Sequence, residues 1–149
     1  MKKYINIIVL LLTLTGYGQS AIEMKTPENA NEKFAQFIAK KKFVAENYYN
    51  GVANEKMRSI FTEKINKVAS DFQSVATSGN PTDKKYQEKI KIGLSRFADV
   101  YMKLDTEDRE RVCSYFEELM DIVGLNSSNG QLNTFMYGFD PMEKAKEKN

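Results

Sequence analysis

Four carboxylates crowd into one short stretch, Asp105, Glu107, Asp108 and Glu110, and carboxylates so placed have two uses. A calcium loop of the EF-hand kind needs acidic ligands at alternating positions, glycine at the sixth and glutamate at the twelfth. Counted from Asp105, those two positions hold Glu110 and Phe116, so the pattern fails. The same residues suit the start of a helix, where Asp105 can cap a free amide and the acids that follow face the positive end of the dipole. Glu117 and Glu118 invite comparison with a glycosidase pair, but adjacent helical residues diverge and cannot flank one bond. Glu117 and Asp121, four apart, share a face and read as solvated surface.

Nucleophilic chemistry has little to work with. Cys113 is the only cysteine and the chain contains no histidine, which removes the usual base for a catalytic cysteine or serine and the usual ligand of zinc or haem. An intramolecular disulfide is impossible, so stability must come from packing. Cys113 lies one position from the apolar stripe of its helix and reads as a small buried thiol. No glycine-rich phosphate loop is present. The residue types therefore imply no catalytic residue, no metal site, no cofactor and no enzyme activity.

What remains is recognition. Tyr48, Tyr86 and Tyr101 fall on apolar stripes, whereas Tyr49 and Tyr115 fall off them. Tyr115 with Glu118 and Asp121 is the candidate partner surface, an exposed ring beside acids of the kind found in protein contacts. Charge is divided along the chain: residues 25–103 carry 15 basic and 9 acidic side chains, residues 104–143 carry 2 and 9. Either the two parts pack together and their fields partly cancel, or the acidic part faces a basic protein partner. Setting aside Lys2 and Lys3, the chain is balanced overall, which gives no support to nucleic-acid binding through phosphate neutralisation.

Those side chains need helices to position them, and helical periodicity runs through most of the chain. Thr26-Pro27-Glu28 reads as the start of a first helix reaching about Asn50, with Phe34, Phe37, Ile38, Val44, Ala45 and Tyr48 on its stripe and left-handed Gly51 ending it. Lys40, Lys41 and Lys42 cannot share one face of it, so at least one must lay its stem along the surface. A second helix, about Asn54 to Thr77, has the most regular stripe, with Met57, Ile60, Phe61, Ile65, Val68, Phe72 and Val75. Thr82 or Asn80 caps a third helix that ends near Lys103 and carries Tyr86, Ile90, Leu94, Phe97 and Tyr101. Gly93 inside it implies close approach of a neighbouring helix. A fourth helix follows Asp105 with Val112, Phe116, Leu119, Met120 and Val123 buried, ending at Gly124-Leu125. Ser128 to Gln131 reads as a capping box for a short fifth helix carrying Leu132, Phe135 and Met136. The fold class is all-α: a single compact bundle of four main helices plus a short fifth C-terminal helix.

The run from Leu104-Asp-Thr-Glu-Asp-Arg-Glu through Tyr115-Phe-Glu-Glu-Leu-Met-Asp-Ile-Val-Gly-Leu125 to Tyr137-Gly-Phe139 resembles a family of small exported bacterial helical proteins catalogued as a domain of unknown function. The resemblance covers roughly the last third of the chain. It implies fold and compartment, and assigns no activity, ligand or site residue.

The first positions point to export. Lys2 and Lys3 precede an apolar run from Ile5 to Leu14, then small and polar residues, the order of a cleavable signal peptide. A helical span takes roughly 20 apolar residues, more than this run supplies. Cleavage is expected after Gly18, with Ser20 as the alternative, leaving no stable membrane anchor and a periplasmic or extracellular protein. The expected organisation is a signal peptide over 1–18, a flexible mature N-terminus over 19–25, one helical domain over 26–140 and a disordered tail over 141–149. Two functions fit. The first is a non-enzymatic protein-interaction module, acting as an inhibitor, an immunity-type protein or an accessory protein. The second is a small-ligand or lipid carrier with an apolar cavity inside the bundle, lined by residues such as Phe61, Phe72, Phe97 and Phe116.

Overall fold

A computed structural model describes residues 20–138. The expected signal peptide and the expected tail lie outside the described residues. Among the described residues five α-helices and one 3-10 helix follow in order: α1 (Ala30–Ala39), α2 (Glu55–Ala76), α3 (Asp83–Ser95), a 3-10 helix (Ala98–Lys103), α4 (Thr106–Val123) and α5 (Gln131–Tyr137). Among the described residues the only extended pairings are two isolated bridges, Glu23 with Thr82 and Glu46 with Tyr49. The all-α bundle expected from periodicity is the observed architecture.

Helix α2 is its axis, packed against α1, α3 and α4. It begins where the sequence places it, because the Asn54 side chain accepts from the amides of Lys56 (3.0 Å) and Met57 (3.3 Å). Its stripe is buried through Phe61, Ile65, Val68, Phe72 and Val75. Gly93 of α3 faces the seam between α2 and α4. A Cβ there would lie 2.8 Å from both Val68 Cγ2 and Phe116 Cζ, which gives the close approach its physical form. Thr82 caps α3, accepting from Lys85 at 3.3 Å.

Five local features depart from expectation. The third helix, expected to reach Lys103, ends as an α-helix at Ser95 and is followed by the 3-10 helix. The first helix begins at Ala30, because the Thr26 hydroxyl, read as its cap, instead donates to the Ala76 carbonyl at the end of α2 (3.0 Å). It stops at Ala39, well short of Asn50, where Lys40 turns extended. In the lead-in read as flexible over 19–25, the described residues Ile22 and Met24 are tied down: Ile22 and Asp83 exchange hydrogen bonds, and Met24 donates to Pro81 at 3.0 Å. The capping box at Ser128 does not form, since Gln131 turns to Gln87 and Gly130 occupies the cap position with no side-chain bond.

Helix α4 carries the capping box the sequence hides in its acidic cluster. Asp105 accepts from the Asp108 amide at 2.8 Å, and Asp108 accepts from the Asp105 amide at 3.4 Å. At the other end Gly124 is left-handed and the Leu125 amide reaches back to the Met120 carbonyl at 2.9 Å, the hydrogen bond of a Schellman ending.

Candidate functional site

Between α1 and α2 the chain runs from Lys40 to Asn54 with no helix, yet it is tightly built. It starts with Lys42, whose ammonium turns back over the end of α1 and donates to the carbonyls of Phe37, Lys40 (3.2 Å) and Ile38 (3.4 Å). Those carbonyls have no partner within the helix and lie at its negative end, so a cation satisfies them twice over. The ammonium also lies 4.5 Å from the Phe37 ring centroid. Burial, with repulsion from Lys40, lowers Lys42 to about 8, and Glu118 opposes the shift.

Phe43 follows in the left-handed region (φ 56), a conformation that costs a bulky residue about 1–3 kcal/mol and persists only when its surroundings fix it. They do. Its amide donates to the Tyr115 hydroxyl at 2.9 Å, its carbonyl accepts from Val52 at 3.0 Å, and its ring meets Phe61 and Tyr115 edge-on. Gly51, with φ +78, closes the loop against backbone, since a Cβ there would lie 2.7 Å from the Ala45 nitrogen.

At the tip, Glu46 and Tyr49 exchange backbone hydrogen bonds of 3.0 Å, with left-handed Asn47 making the turn. Tyr49 points inward. Its hydroxyl donates to Asp108 at 2.6 Å and the Arg111 guanidinium covers its ring at 4.7 Å. Burial first, then the bond to Asp108, push its ionisation above the ordinary tyrosine range. Tyr48 points outward and is 100% exposed. Beside it lies a hollow of about 430 Å³ lined by Asn47, Tyr48, Tyr49, Glu107, Glu110, Arg111 and Ser114. Arg111 faces Glu46 at 3.8 Å. Glu107 and Glu110 take part in no ion pair among the described residues.

The residues read from sequence as a partner surface divide. Tyr115 is buried, with 5% exposure, which corrects the expectation of an exposed ring. Helix α4 is packed on two sides: Val112, Phe116, Leu119, Met120 and Val123 make the expected stripe, while Tyr115 and Ile122 add a second buried edge. Phe37 and Phe43 cover Tyr115, at 6.0 and 5.1 Å between centroids. Glu118 is half-exposed and pairs with Lys40, so one contact does join the basic and acidic parts of the chain. Asp121 is exposed and does not line the hollow beside Tyr48.

Sequence reasoning missed Lys42, Tyr48, Tyr49 and Arg111, because a helix drawn through to Asn50 reverses which of the adjacent tyrosines faces in. The signal was Asn50-Gly51, a turn dipeptide close behind a lysine run that no single face can hold. Cys113 is half-buried. Its Sγ lies 3.7 Å from the Leu132 carbonyl, and burial with Glu117 and Glu110 pushes the thiol up to about 12, which leaves it protonated and poorly nucleophilic at neutral pH. Phe61, Phe72, Phe97 and Phe116 are fully buried in the packed interior. An apolar groove of about 760 Å³ lies instead at the surface, between α3, the 3-10 helix and α5.

The chain matches the model of a family described as domain of unknown function (DUF4844) over residues 25–140, and it belongs to that family. The match extends the resemblance seen in the last third across the whole helical domain. Its fold is similar to the crystal structure of a DUF3571 family protein from Acinetobacter baumannii AYE, with 33% identity, a TM-score of 0.68, and coverage of 80% of this chain and 95% of that one. Nothing among curated proteins matches it.

Proposed function

We propose that this family member is an exported, non-enzymatic interaction module that grips a basic protein segment with the loop over residues 43–52 and the first turns of α4. One observation carries the reading: a tyrosine at 100% exposure stands on a loop in which its neighbours on both sides are fixed. A single exposed ring is by itself ordinary on a protein surface. Here the loop holds strained backbone at Phe43 and Asn47 to put it there. A rigid, pre-organised loop loses little entropy on binding, and tyrosine is enriched among residues that dominate contact energies. This is the geometry of an inhibitor, immunity-type or accessory protein.

Charge selects the partner. Glu107 and Glu110 line the hollow beside Tyr48, so a lysine or arginine entering it would meet two carboxylates while its stem lies along the ring. Tyr115 supports this surface from beneath, by holding the Phe43 amide, instead of forming part of it.

The test is a photocrosslinking amino acid at position 48, with one at Glu63 on the exposed face of α2 as control, in the exported fractions of the source cell. A single partner crosslinked at position 48 and lost with Glu107→Lys plus Glu110→Lys is the expected result. Equal capture at both positions, or capture indifferent to the charge reversal, would overturn the reading.

A further inference from the structure

We propose that the groove between α3, the 3-10 helix and α5 is a binding site for a small amphipathic anion, an apolar chain or ring carrying one carboxylate-like head. This inference stands apart from the Tyr48 surface and would survive its failure. The groove measures about 760 Å³, inside the roughly 300–1,000 Å³ typical of sites for small ligands. Its apolar surface comes from Leu94, Ala98, Tyr101 and Phe135. Among its lining residues Lys91 alone is charged and none is acidic, and Lys91 takes part in no ion pair among the described residues. An apolar body against those four side chains, with an anionic head at Lys91, matches both properties. A cationic amphiphile would meet repulsion with no carboxylate to offset it.

The walls exist before any ligand arrives. The Tyr101 hydroxyl donates to the Phe135 carbonyl at 2.8 Å and the two rings meet edge-on at 5.3 Å. Phe135 also rests against Phe97 at 6.1 Å. The Gln131 side chain donates to Gln87 Oε1 at 2.8 Å, and Gln87 in turn donates to the Ser127 carbonyl at 2.6 Å. A helix as short as α5 does not persist alone in water, so these contacts with α3 and the 3-10 helix define the groove's far wall. A pre-formed site avoids the ordering cost of binding. Its apolar part amounts to four side chains, which suits one acyl chain or ring system better than the row of anchors an amphipathic helix presents.

Calorimetric titration of the purified protein with dodecanoate and with dodecyltrimethylammonium, both below their micellar concentrations, tests the proposal. Saturable binding of one dodecanoate per chain is expected, with the cation weaker by about tenfold or more, the equivalent of one charge-assisted contact. Lys91→Glu should remove that preference. Ala98→Phe, at an exposed position on the 3-10 helix, should abolish binding of both while leaving the melting temperature within a few degrees. Absence of saturable binding, equal affinity for the two amphiphiles, or dodecanoate binding unchanged in folded Ala98→Phe would each overturn it. So would a protein crosslinked from Thr134, or a dimer dissociated by Ala98→Phe, which would assign the groove to a protein partner or to a second copy of the chain.

Discussion

The α2–α3–α4 interior and the loop over residues 40–52 both bury large aromatic side chains, but they do so by different means. In the interior, burial is the sum of many interchangeable contacts: Phe61, Ile65, Val68, Phe72, Ile90, Phe116 and Leu119 lie at helical spacing, fully buried. In the loop, single polar atoms decide the path. Lys42 closes the end of α1, Tyr115 holds the Phe43 amide, and Asp108 holds the Tyr49 hydroxyl. A periodic core loses stability in proportion to the area it loses. A loop fixed by individual hydrogen bonds loses shape when one donor or acceptor goes, because its buried partner is left unsatisfied. The interior thus supplies the stability, and the loop spends a little of it on a fixed shape.

The largest effect should come from the interior. Phe61→Ala removes the ring that packs against Phe97 and Phe43, and is expected to cost about 3–5 kcal/mol in urea unfolding. A loss below about 1 kcal/mol would mean that periodic burial is not what holds the domain, and the contrast would collapse.

Lys42→Met comes next, at about 1–3 kcal/mol, because it keeps an apolar stem while leaving the last carbonyls of α1 without their donor. Its pH dependence separates it from a packing defect. Lys42 has its ionisation lowered to about 8 in the fold, against 10.5 for an unperturbed lysine. Between these values the unfolded chain binds more protons than the folded one, so this group makes stability rise with pH. The rise should begin near pH 8, where ionisation of the unfolded Cys113 thiol, near about 8.5, starts to oppose it. The lysine is therefore read from the difference in slope between the parent chain and Lys42→Met, which keeps the cysteine and loses the rise. An unchanged slope in the variant would show that Lys42 does not carry it.

Tyr115→Phe should cost less, about 1–2 kcal/mol, and its signature is local. Amide exchange at Phe43 and Val52 should accelerate, while amides in the middle of α2 slow or quicken only with global stability. Equal acceleration everywhere would place Tyr115 with the core residues and not with the supports of the loop.

The same contrast explains what could be read from sequence. Periodicity located α2 almost to the residue, because Asn54 is a cap and the stripe behind it never falters. Gly93 announced a close crossing, and the α4 cluster announced a cap. None of these needs knowledge of a distant residue. The loop does. Phe43 takes a left-handed conformation only because Tyr115, far along the chain, accepts its amide, and Tyr49 turns inward only because Asp108 and Arg111 wait for it. Local propensity favours continuing α1 through Val44 and Ala45, and tertiary hydrogen bonds override it. Reading α4 as packed on one side exposed Tyr115 by the same kind of error: its second buried edge exists because Phe37 and Phe43 cover it.

The smallest expected effect on stability falls on the residue expected to matter most for binding. Tyr48 and Tyr49 are neighbours of the same type at 100% and 8% exposure, so they form a matched pair across the boundary between shape and function. Tyr49→Ala removes a buried ring, the Asp108 hydrogen bond and the stacking of Arg111, and should cost several times more than Tyr48→Ala, which removes only solvated surface and should stay within about 0.5 kcal/mol. Partner capture should follow the opposite order of mechanism: Tyr48→Ala abolishes it with the fold intact, whereas Tyr49→Ala reduces it only as far as the loop loosens, which amide exchange at Val52 reports. If Tyr48→Ala neither destabilises the chain nor weakens capture, the exposed ring serves no contact, and the rigid loop must owe its shape to packing alone.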